Sequence, residues 1–396
     1  MKKRIVVLTL GIILSTVFNT KGQFKIIGYV PNWTNLVTFS DGFDFSRVSH
    51  INLAFKTPDG TTGIIPAMTS DEIYLVSAAH AHGVKVLLSL GGAGAADFTS
   101  TINLSTLSSK LKQYAIANNF DGIDIDLEGS SIGSRYNTFI QVLADTLHPA
   151  GIKLTAAFPS GNASVISTST FTYFDWVNIM AYDLCGPTWG TPGQHSPYSM
   201  SEDALNYWKG RGLPQAKAIL GVPFYGYEFG STARNYAISY KSIAASYPSA
   251  VNDDNVATTG DNIVYYNGIY TMIDKTGLAM SSGGGIMIWD LSMDAPGNNS
   301  LLKTIVDVSG YVPTGVTSSA PTLNDLIIYP NPSNGLISLQ GEGFQNAAIE
   351  LYNSFGQKIH SYTSVSALDL SSEAKGIYYL HISKEERSAT RKIVIQ

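Results

Sequence analysis

Cysteine is almost absent from this sequence, which excludes several kinds of site. Cys185 is the single cysteine among 396 residues, so neither an intramolecular disulfide nor a cysteine-based zinc or iron–sulfur centre can form. The seven histidines contain no H-E-x-x-H pair, and His80 and His82 lie two positions apart, which points them to different sides of a helix. We therefore predict no metal site and no cofactor.

Charged residues are also scarce, and basic residues do not dominate. Asp, Glu, Lys and Arg make up 14% of the chain, and the net charge is −5. Nucleic-acid binding needs Lys and Arg to neutralise phosphates, so we expect no nucleic-acid partner. The chain has no G-x-x-x-x-G-K-[ST] loop, and the glycine-rich run at 91–94 lacks dinucleotide-site spacing. The hydrophobic residues, at 44%, suffice for a sizeable core.

The first 22 residues have the pattern of a secretory signal. Three basic residues at positions 2–4 precede an apolar stretch from Ile5 to Phe18, and the small Gly22 suits cleavage. The stretch is short for a bilayer span, which needs about 20 residues, although a membrane anchor or a buried helix is the alternative. We predict that residues 1–22 are removed and that the mature protein is secreted without a membrane span.

Between positions 23 and 308, β-type runs alternate with helical stretches, as in βα units around a parallel sheet. Eight strands are predicted, at 25–30, 48–55, 84–90, 122–127, 153–158, 176–182, 218–224 and 285–289. Eight such units are typical of a (β/α)8 TIM barrel, which has about 250 residues. An open doubly wound sheet is the alternative.

The C-terminal part of the chain has a different pattern. A stretch rich in Ser, Thr, Gly and Pro at 309–324 is typical of a linker. Short β-type runs separated by turn signals follow it, as at 326–329 and 377–382. These runs predict a small all-β sandwich at 325–396.

The fourth predicted strand carries three carboxylates, Asp124, Asp126 and Glu128, which alternate with apolar residues. Alternate side chains of a strand share one face, so the three acids lie about 6 to 7 Å apart along it. The apolar face packs under the helices, which points the acids into the barrel, near the end where barrel enzymes do their chemistry. Like charges at low dielectric share protons, and Glu128 is best placed to stay protonated and donate to a leaving group. A calcium site or a solvated acidic edge is the alternative.

The D-x-x-D-x-D-x-E motif at 121–128 resembles the catalytic signature of glycoside hydrolase family 18, the chitinases. Three further motifs resemble the same family in chain order: S-x-G-G at 89–92, M-x-Y-D at 180–183, and Trp289 at the end of the eighth strand. The resemblance implies hydrolysis of chitin or N-acetylglucosamine oligosaccharides. It also implies cis peptide bonds after Ala54 and after Trp289.

The resemblance implies a role for each catalytic residue. Glu128 would act as general acid and then as general base. Asp126 would orient the substrate's 2-acetamido group while sharing a proton with Asp124, and Tyr182 would hydrogen-bond the acetamido oxygen. That oxygen, rather than a second carboxylate, would attack the anomeric carbon, with retention of configuration.

The resemblance also assigns residues at the strand ends to substrate binding. Trp289 would form the floor beneath the sugar. Aromatic and Met side chains are common core fillers as well, so ordinary packing is the alternative for several of them. The predicted binding and supporting set is Tyr29, Trp33, Phe55, Ser89, Gly91, Gly92, Met180, Asp183, Tyr225 and Trp289.

Because the stretch between Tyr227 and Gly285 is short, we expect no inserted module between the seventh and eighth barrel strands, and a shallow cleft that favours internal cuts. Two alternatives to an endo-acting chitinase remain. An endo-β-N-acetylglucosaminidase acting on N-glycans shares the acidic signature, and a non-catalytic chitin-binding lectin shares the fold. In lectin relatives the acid position is usually replaced, whereas Glu128 is present here.

The C-terminal runs resemble the type A sorting domain of the type IX secretion system. The matching segments are Tyr-Pro-Asn-Pro at 329–332, the run at 351–357, Lys-Gly-Ile-Tyr at 375–378 and the terminal 392–396. The resemblance implies a Gram-negative host, the type IX machinery as a partner, and an extracellular or cell-surface location. A carbohydrate-binding sandwich is the alternative.

Overall fold

A computed structural model of the chain describes residues 24–161, 163–312, 327–340, 346–353, 358–363, 366–384 and 387–396. The chain divides into two compact units after residue 315. The predicted signal sequence and most of the predicted linker lie outside the described residues. Within the described part of the chain, no helix has the length and apolar character needed to cross a bilayer.

The first unit combines parallel strands with helices. Its strands are β1 (Lys25–Pro31), β2 (His50–Lys56), β3 (Lys85–Gly91), β4 (Gly122–Asp126), β5 (Lys153–Pro159), β6 (Trp176–Met180), β7 (Ala218–Pro223), β8 (Tyr225–Phe229), β9 (Ile238–Ser239), β10 (Asn255–Ala257), β11 (Ile263–Tyr265) and β12 (Gly285–Trp289). Its helices are α1 (Leu36–Gly42), α2 (Ser70–Ala81), α3 (Leu104–Ala117), α4 (Tyr136–Leu147), α5 (Tyr198–Gly210), α6 (Tyr240–Ser246), α7 (Ile269–Ser282) and α8 (Leu301–Ser309).

Strands β1 to β7 and β12 form a closed parallel barrel. Strand β1 closes it by pairing with β2 on one side, with Tyr29 opposite Asn52, and with β12 on the other, with Gly28 opposite Ile288. The predicted barrel is confirmed, each predicted strand end lies within two residues of the observed one, and the open doubly wound sheet was wrong. The peptide bonds after Ala54 and after Trp289 are cis, as the resemblance implied.

Strand β4 shows why the acids point inward. Ile123 and Ile125 are fully buried in the same core as Phe139 and Leu143 of α4. Burying these aliphatic side chains against the helix layer contributes about 1.5 to 3 kcal/mol each. The alternation of the strand then leaves its carboxylates facing the barrel interior.

The expectation of no inserted module between the last two barrel strands was wrong. Strands β8 to β11 form a small antiparallel sheet in the order β10-β11-β8-β9, and α6 lies between β9 and β10 in the chain. These strands have two to five residues each, which is too short for a clear alternation in the sequence.

The second unit is all-β, as predicted. Its strands are β13 (Ile327–Tyr329), β14 (Leu336–Gln340), β15 (Ala348–Asn353), β16 (Lys358–Thr363), β17 (Ala367–Asp369), β18 (Gly376–Lys384) and β19 (Arg387–Ile395). They form two antiparallel sheets, ordered β13-β14-β17 and β16-β15-β18-β19. Side chains from both sheets, such as Leu339 and Leu380, share one core, so the unit is a sandwich.

Candidate active site

Asp124 lies at the inner end of the acidic row and is fully buried. Tyr29 Oη and Ser89 Oγ donate to its Oδ2 at 2.7 and 2.8 Å. Thr155 Oγ1 and Asn178 Nδ2 donate to its Oδ1 at 2.5 and 3.3 Å. Burial raises the pKa of Asp124, and these donors oppose the rise. Because both oxygens accept hydrogen bonds, this carboxylate is not arranged as a calcium ligand.

Asp126 and Glu128 form the outer end of the row, and their side chains lie within hydrogen-bonding reach of each other. Burial, followed by the negative charges of Glu128 and Asp124, raises the pKa of Asp126 well above its ordinary value. Burial and the charge of Asp183 raise the pKa of Glu128, while the hydrogen bond from Asp126 opposes that rise. Two neighbouring carboxyl groups whose pKa values are both raised titrate together, so one proton can lie between them.

From the sequence, Glu128 is expected to be the acid with the raised pKa. In the structure the pKa of Asp126 is raised as well. The stronger rise is at Asp126, because its side chain is more deeply buried and lies between two other acids. Its Oδ1 has no hydrogen-bond partner among the described residues, although Asp126 lines the cavity. Asp126, the middle acid of the row, therefore has a carboxyl oxygen that can bind a ligand in the cavity.

Tyr182 lies across the same cavity. Burial and the neighbouring acids raise its pKa well above the ordinary tyrosine value, so its hydroxyl keeps its proton. Among the described residues, its hydroxyl makes one weak contact, 3.9 Å to Met287 Sδ. It is therefore a donor that can turn to a polar group in the cavity.

Two glycines at the end of β3 allow the backbone to approach the acids. Gly91 and Gly92 have φ values of +110° and +90°, which other residues rarely adopt. A Cβ on Gly91 would lie 2.2 Å from the carbonyl oxygen of Asp126, and one on Gly92 would lie 2.6 Å from the ring of Phe55. The backbone N–H of Gly92 donates to the Asp126 carbonyl at 2.7 Å.

Aromatic rings form one wall of the site. Trp289 stacks on Phe55 at 5.5 Å between ring centroids and meets Tyr29 edge-on at 5.6 Å. Trp33 lies 6.5 Å from Trp289, and 68% of its surface is exposed. Because an exposed indole presents an apolar face to solvent, this wall suits the C–H face of a sugar ring.

These groups enclose an open cavity of about 500 Å³, within the range usual for ligand sites. Of the described residues, those that line it are Tyr29, Trp33, Phe55, Gly91, Gly92, Ala93, Asp126, Glu128, Ala157, Met180, Tyr182, Asp183, Met287 and Trp289.

Three predicted site residues do not line the cavity. Asp124 and Ser89 lie beneath it, where the Ser89 hydroxyl donates to Asp124. Tyr225 was expected to line a neighbouring subsite, but it is buried at the start of β8 and donates to Asp183 Oδ1 at 2.6 Å. Its hydroxyl supports the acid instead of meeting solvent.

Other residues of the site were not anticipated. Thr155 and Asn178 bind Asp124 from β5 and β6, and Ala157 and Met287 line the cavity. Thr155 and Ala157 lie on one face of β5, two positions apart. Side chains alternate between the two faces of a strand, so the residues of β5 that face the barrel interior could have been identified from the sequence.

Comparisons with known proteins agree with this geometry. The model of glycosyl hydrolases family 18 matches residues 25–294, and that of the secretion system C-terminal sorting domain matches residues 327–396. A class V chitinase of Arabidopsis thaliana is 30% identical over 49% of the chain, and the match covers 58% of that protein. An oviduct-specific glycoprotein of Mesocricetus auratus is 28% identical over 56% of the chain, and the match covers 39% of that protein. The chain thus spans only part of the curated relatives it matches.

A solved structure extends the likeness. A family 18 chitinase, ChiB, from the chitin utilization locus of Flavobacterium johnsoniae is 28% identical, with a TM-score of 0.64. The match covers 72% of this chain and 94% of that one. With the family model covering most of the chain, and with Asp126, Glu128, the two glycines and the aromatic wall in one cavity, the chain belongs to the glycosyl hydrolases of family 18.

Proposed function

We propose that this protein is a secreted chitinase, which hydrolyses the β-1,4 bonds between N-acetylglucosamine units. The observation that carries the proposal is the placement of Asp126 and Glu128, within hydrogen-bonding reach of each other, in a cavity with an aromatic wall. A carboxyl group with a raised pKa can stay protonated near neutral pH and act as a general acid.

In the first step Glu128 gives its proton to the glycosidic oxygen, and the bond from that oxygen to the anomeric carbon breaks. The carbonyl oxygen of the 2-acetamido group on the same sugar attacks the anomeric carbon and forms an oxazolinium ion. Asp126 accepts a hydrogen bond from the acetamido N–H and stabilises the positive charge. The hydroxyl of Tyr182 donates to the acetamido oxygen and orients it for attack.

In the second step Glu128, now a carboxylate, takes a proton from water. The oxygen of that water attacks the anomeric carbon and opens the oxazolinium ring, which restores the acetamido group. Two inversions at one carbon give overall retention. Asp124 takes part indirectly, since its negative charge is one cause of the raised pKa of Asp126.

The sugar at the cleavage point binds between the acids and the aromatic wall. Trp289 forms the floor beneath it, and Phe55, Met180, Asp183 and Trp33 contact it and its neighbours. Gly91 and Gly92 have no side chain that would fill this side of the cavity.

We propose that the enzyme cleaves internal bonds of its substrate. The supporting observation is that the wall of the cavity, as far as the described residues define it, contains no residue of the small sheet at 225–265.

The test is the time course of products, by mass spectrometry, from N-acetylglucosamine hexamer and from a high-mannose glycoprotein in parallel. We expect dimer, trimer and tetramer to appear together from the hexamer. Dimer alone from the earliest times would contradict internal cleavage.

The same experiment separates the alternatives. Released glycans with an intact hexamer would identify an endo-β-N-acetylglucosaminidase. No product from either substrate, with chitin binding retained, would identify a lectin, and this outcome is worth testing because one relative is named as a glycoprotein and not as a chitinase.

We also propose a domain organisation that carries the enzyme out of a Gram-negative cell. Residues 1–22 are the signal peptide, 23–308 the catalytic domain, 309–324 the linker, and 325–396 the sorting domain read by the type IX secretion machinery. The match of residues 327–396 to the sorting-domain model supports this order. Deletion of residues 325–396 should leave active enzyme in the periplasm, and normal export of the deletion variant would contradict the proposal.

A further inference from the structure

A buried ion pair lies behind the aromatic wall of the cavity. Lys56 Nζ donates to Oε2 of Glu72 at 2.8 Å and to the carbonyl oxygen of Ala67 at 3.0 Å. Lys56 ends β2, Glu72 lies in the first turn of α2, and both side chains are buried. The attraction within a buried pair often only offsets the cost of removing two charges from water. Stability alone therefore does not explain the pair, and the proposed mechanism gives it no role.

Both carboxylate oxygens of Glu72 accept hydrogen bonds. Oε2 accepts from Lys56 and, at 2.8 Å, from the backbone N–H of Thr69, whose side chain completes a capping box at the start of α2. Oε1 accepts from Nδ2 of Asn32 at 3.1 Å. Burial would raise the pKa of Glu72, but the hydrogen bonds that it accepts, the first from Lys56, outweigh this effect and lower the pKa overall. Glu72 is therefore a carboxylate near neutral pH and a strong acceptor for Asn32.

Asn32 connects the ion pair to the ends of two barrel strands. Its Nδ2 donates to Glu72 and, at 3.0 Å, to the carbonyl oxygen of Phe55. Its backbone N–H donates to the carbonyl oxygen of Ala54 at 2.5 Å. A side-chain amide nitrogen has two hydrogens to donate, and each has an acceptor here. The turn after β1 is thus fixed both to the end of β2 and to the start of α2.

The residues next to these contacts belong to the aromatic wall. Asn32 directly precedes Trp33, and Phe55 directly precedes Lys56. The ring of Trp33 lies 6.3 Å from that of Phe55, and 68% of the Trp33 surface is exposed. An exposed side chain that becomes ordered only when a ligand binds costs affinity, whereas one that is already held does not. The hydrogen bonds of Asn32 hold the backbone from which the indole projects.

We propose that the buried Lys56–Glu72 pair is a positioning device for Trp33, which it holds through Asn32 at the place where a sugar ring of the substrate binds. This inference rests on the proposed function, in which the aromatic wall binds an N-acetylglucosamine oligosaccharide. Neither charged side chain is among the described residues that line the cavity. The pair therefore acts on the affinity for the substrate and not on the cleavage of the bond.

The test is the affinity for N-acetylglucosamine hexamer, measured by calorimetry on the full chain carrying Glu128→Gln, so that cleavage does not interfere. Two changes are introduced into this parent chain. Asn32→Ala removes the link and leaves the ion pair intact. Lys56→Met together with Glu72→Leu replaces the pair by apolar side chains of similar size, which leaves no unpaired buried charge. Because both changes leave the indole unanchored, we expect the Kd to rise about tenfold in each.

The matched control is Thr69→Ala. This change removes the hydroxyl that accepts from the backbone N–H of Glu72 at 3.2 Å, and so weakens the start of α2, but it leaves the contact between Glu72 and Asn32 in place. We expect a lower Tm and the Kd of the parent chain. A rise in Kd as large as that in Asn32→Ala would mean that any weakening of α2 lowers the affinity, and would overturn the inference.

A second comparison separates positioning from a general loss of structure. In a chain that also carries Trp33→Ala, the same two changes should raise the Kd by less than about twofold, because no indole remains to be held. A tenfold rise there would overturn the inference, as would an unchanged Kd in Asn32→Ala, which decides the matter even if the double variant does not fold. With Glu128 restored, KM should rise by a larger factor than kcat falls; the reverse would place the effect on cleavage and contradict the inference.

Failure of the proposed function is recognised separately. A wild-type chain that binds the hexamer without cleaving it would refute the chitinase and leave the role of the ion pair to be decided by the Kd values. A parent chain that does not bind the hexamer would overturn both.

Discussion

The two ends of the acidic row differ in how their carboxyl groups are satisfied. At the inner end, Asp124 receives four hydrogen bonds from four different strands. At the outer end, a buried oxygen of Asp126 has no hydrogen-bond partner in the part of the chain that the structure describes, and a neighbouring polar group is the carboxyl of Glu128. A carboxylate with all its acceptor sites occupied holds the barrel together. One that shares a proton at a cavity wall is prepared for a ligand, so burial alone does not distinguish a structural acid from a catalytic one.

The largest expected effect comes from the outermost acid. Glu128→Gln removes the proton donor and leaves the shape nearly unchanged, so kcat on the hexamer should fall at least about 10³-fold. Binding of the hexamer, measured by calorimetry, should persist. The matched control is Glu202→Gln at an exposed position of α5. Wild-type turnover in Glu128→Gln would show that another group is the acid.

The next effect comes from the middle acid. Asp126→Asn cannot share a proton with Glu128 and orients the acetamido group less well, so kcat should fall about 10²-fold. Steady-state kinetics on the hexamer measures the loss, with the exposed Asp203→Asn as control. If kcat falls less in Asp126→Asn than in Thr155→Val, the inner end of the acidic row would matter more for catalysis than the outer end.

At the inner end the main expected effect is on stability. Thr155→Val keeps the shape of the side chain but removes the shortest hydrogen bond to Asp124, so the free energy of unfolding should fall by about 2 kcal/mol. Urea denaturation of the barrel measures this, and Thr172→Val, which removes an exposed hydroxyl, is the control. The kcat of Thr155→Val should fall less than that of Asp126→Asn. A stable but inactive Thr155 variant would argue against a structural role for the inner end.

The smallest expected effect is the pH dependence of stability at Asp126. Its pKa is higher in the folded protein than its ordinary value of 3.8. A group of this kind supports the fold below its ordinary pKa, and the contribution is lost as the pH rises through the folded value. Asp126→Asn carries no charge at any pH, so it should be more stable than wild type near neutral pH. The difference should disappear below about pH 3.8. Urea denaturation across this range measures it, and a constant difference would contradict the raised pKa.

Much of the fold and of the outer site follows from the sequence through two periodicities. Eight β-type runs between helices predict the barrel, and the alternation at 123–128 predicts which acids share a face. The donors to Asp124 are harder to find. Thr155 and Asn178 are single polar residues inside apolar strands, and only the barrel register places them next to Asp124.

The predictions that were wrong, for Tyr225 and for the small sheet, also have physical explanations. Tyr225 comes directly after a barrel strand, as cavity residues do, but it begins β8 and its ring is buried among Tyr182, Tyr227 and His195. The small sheet was missed because its strands are too short to alternate.

In the proposed mechanism Asp126 and Glu128 work without a carboxylate nucleophile, because the acetamido oxygen of the substrate takes that place. The most direct test is proton NMR of the anomer released first from N-acetylglucosamine hexamer, recorded before mutarotation. Attack by the acetamido oxygen followed by water predicts that the β-anomer appears first. Initial release of the α-anomer would mean direct attack by water, and would contradict the roles assigned to Asp126 and Glu128.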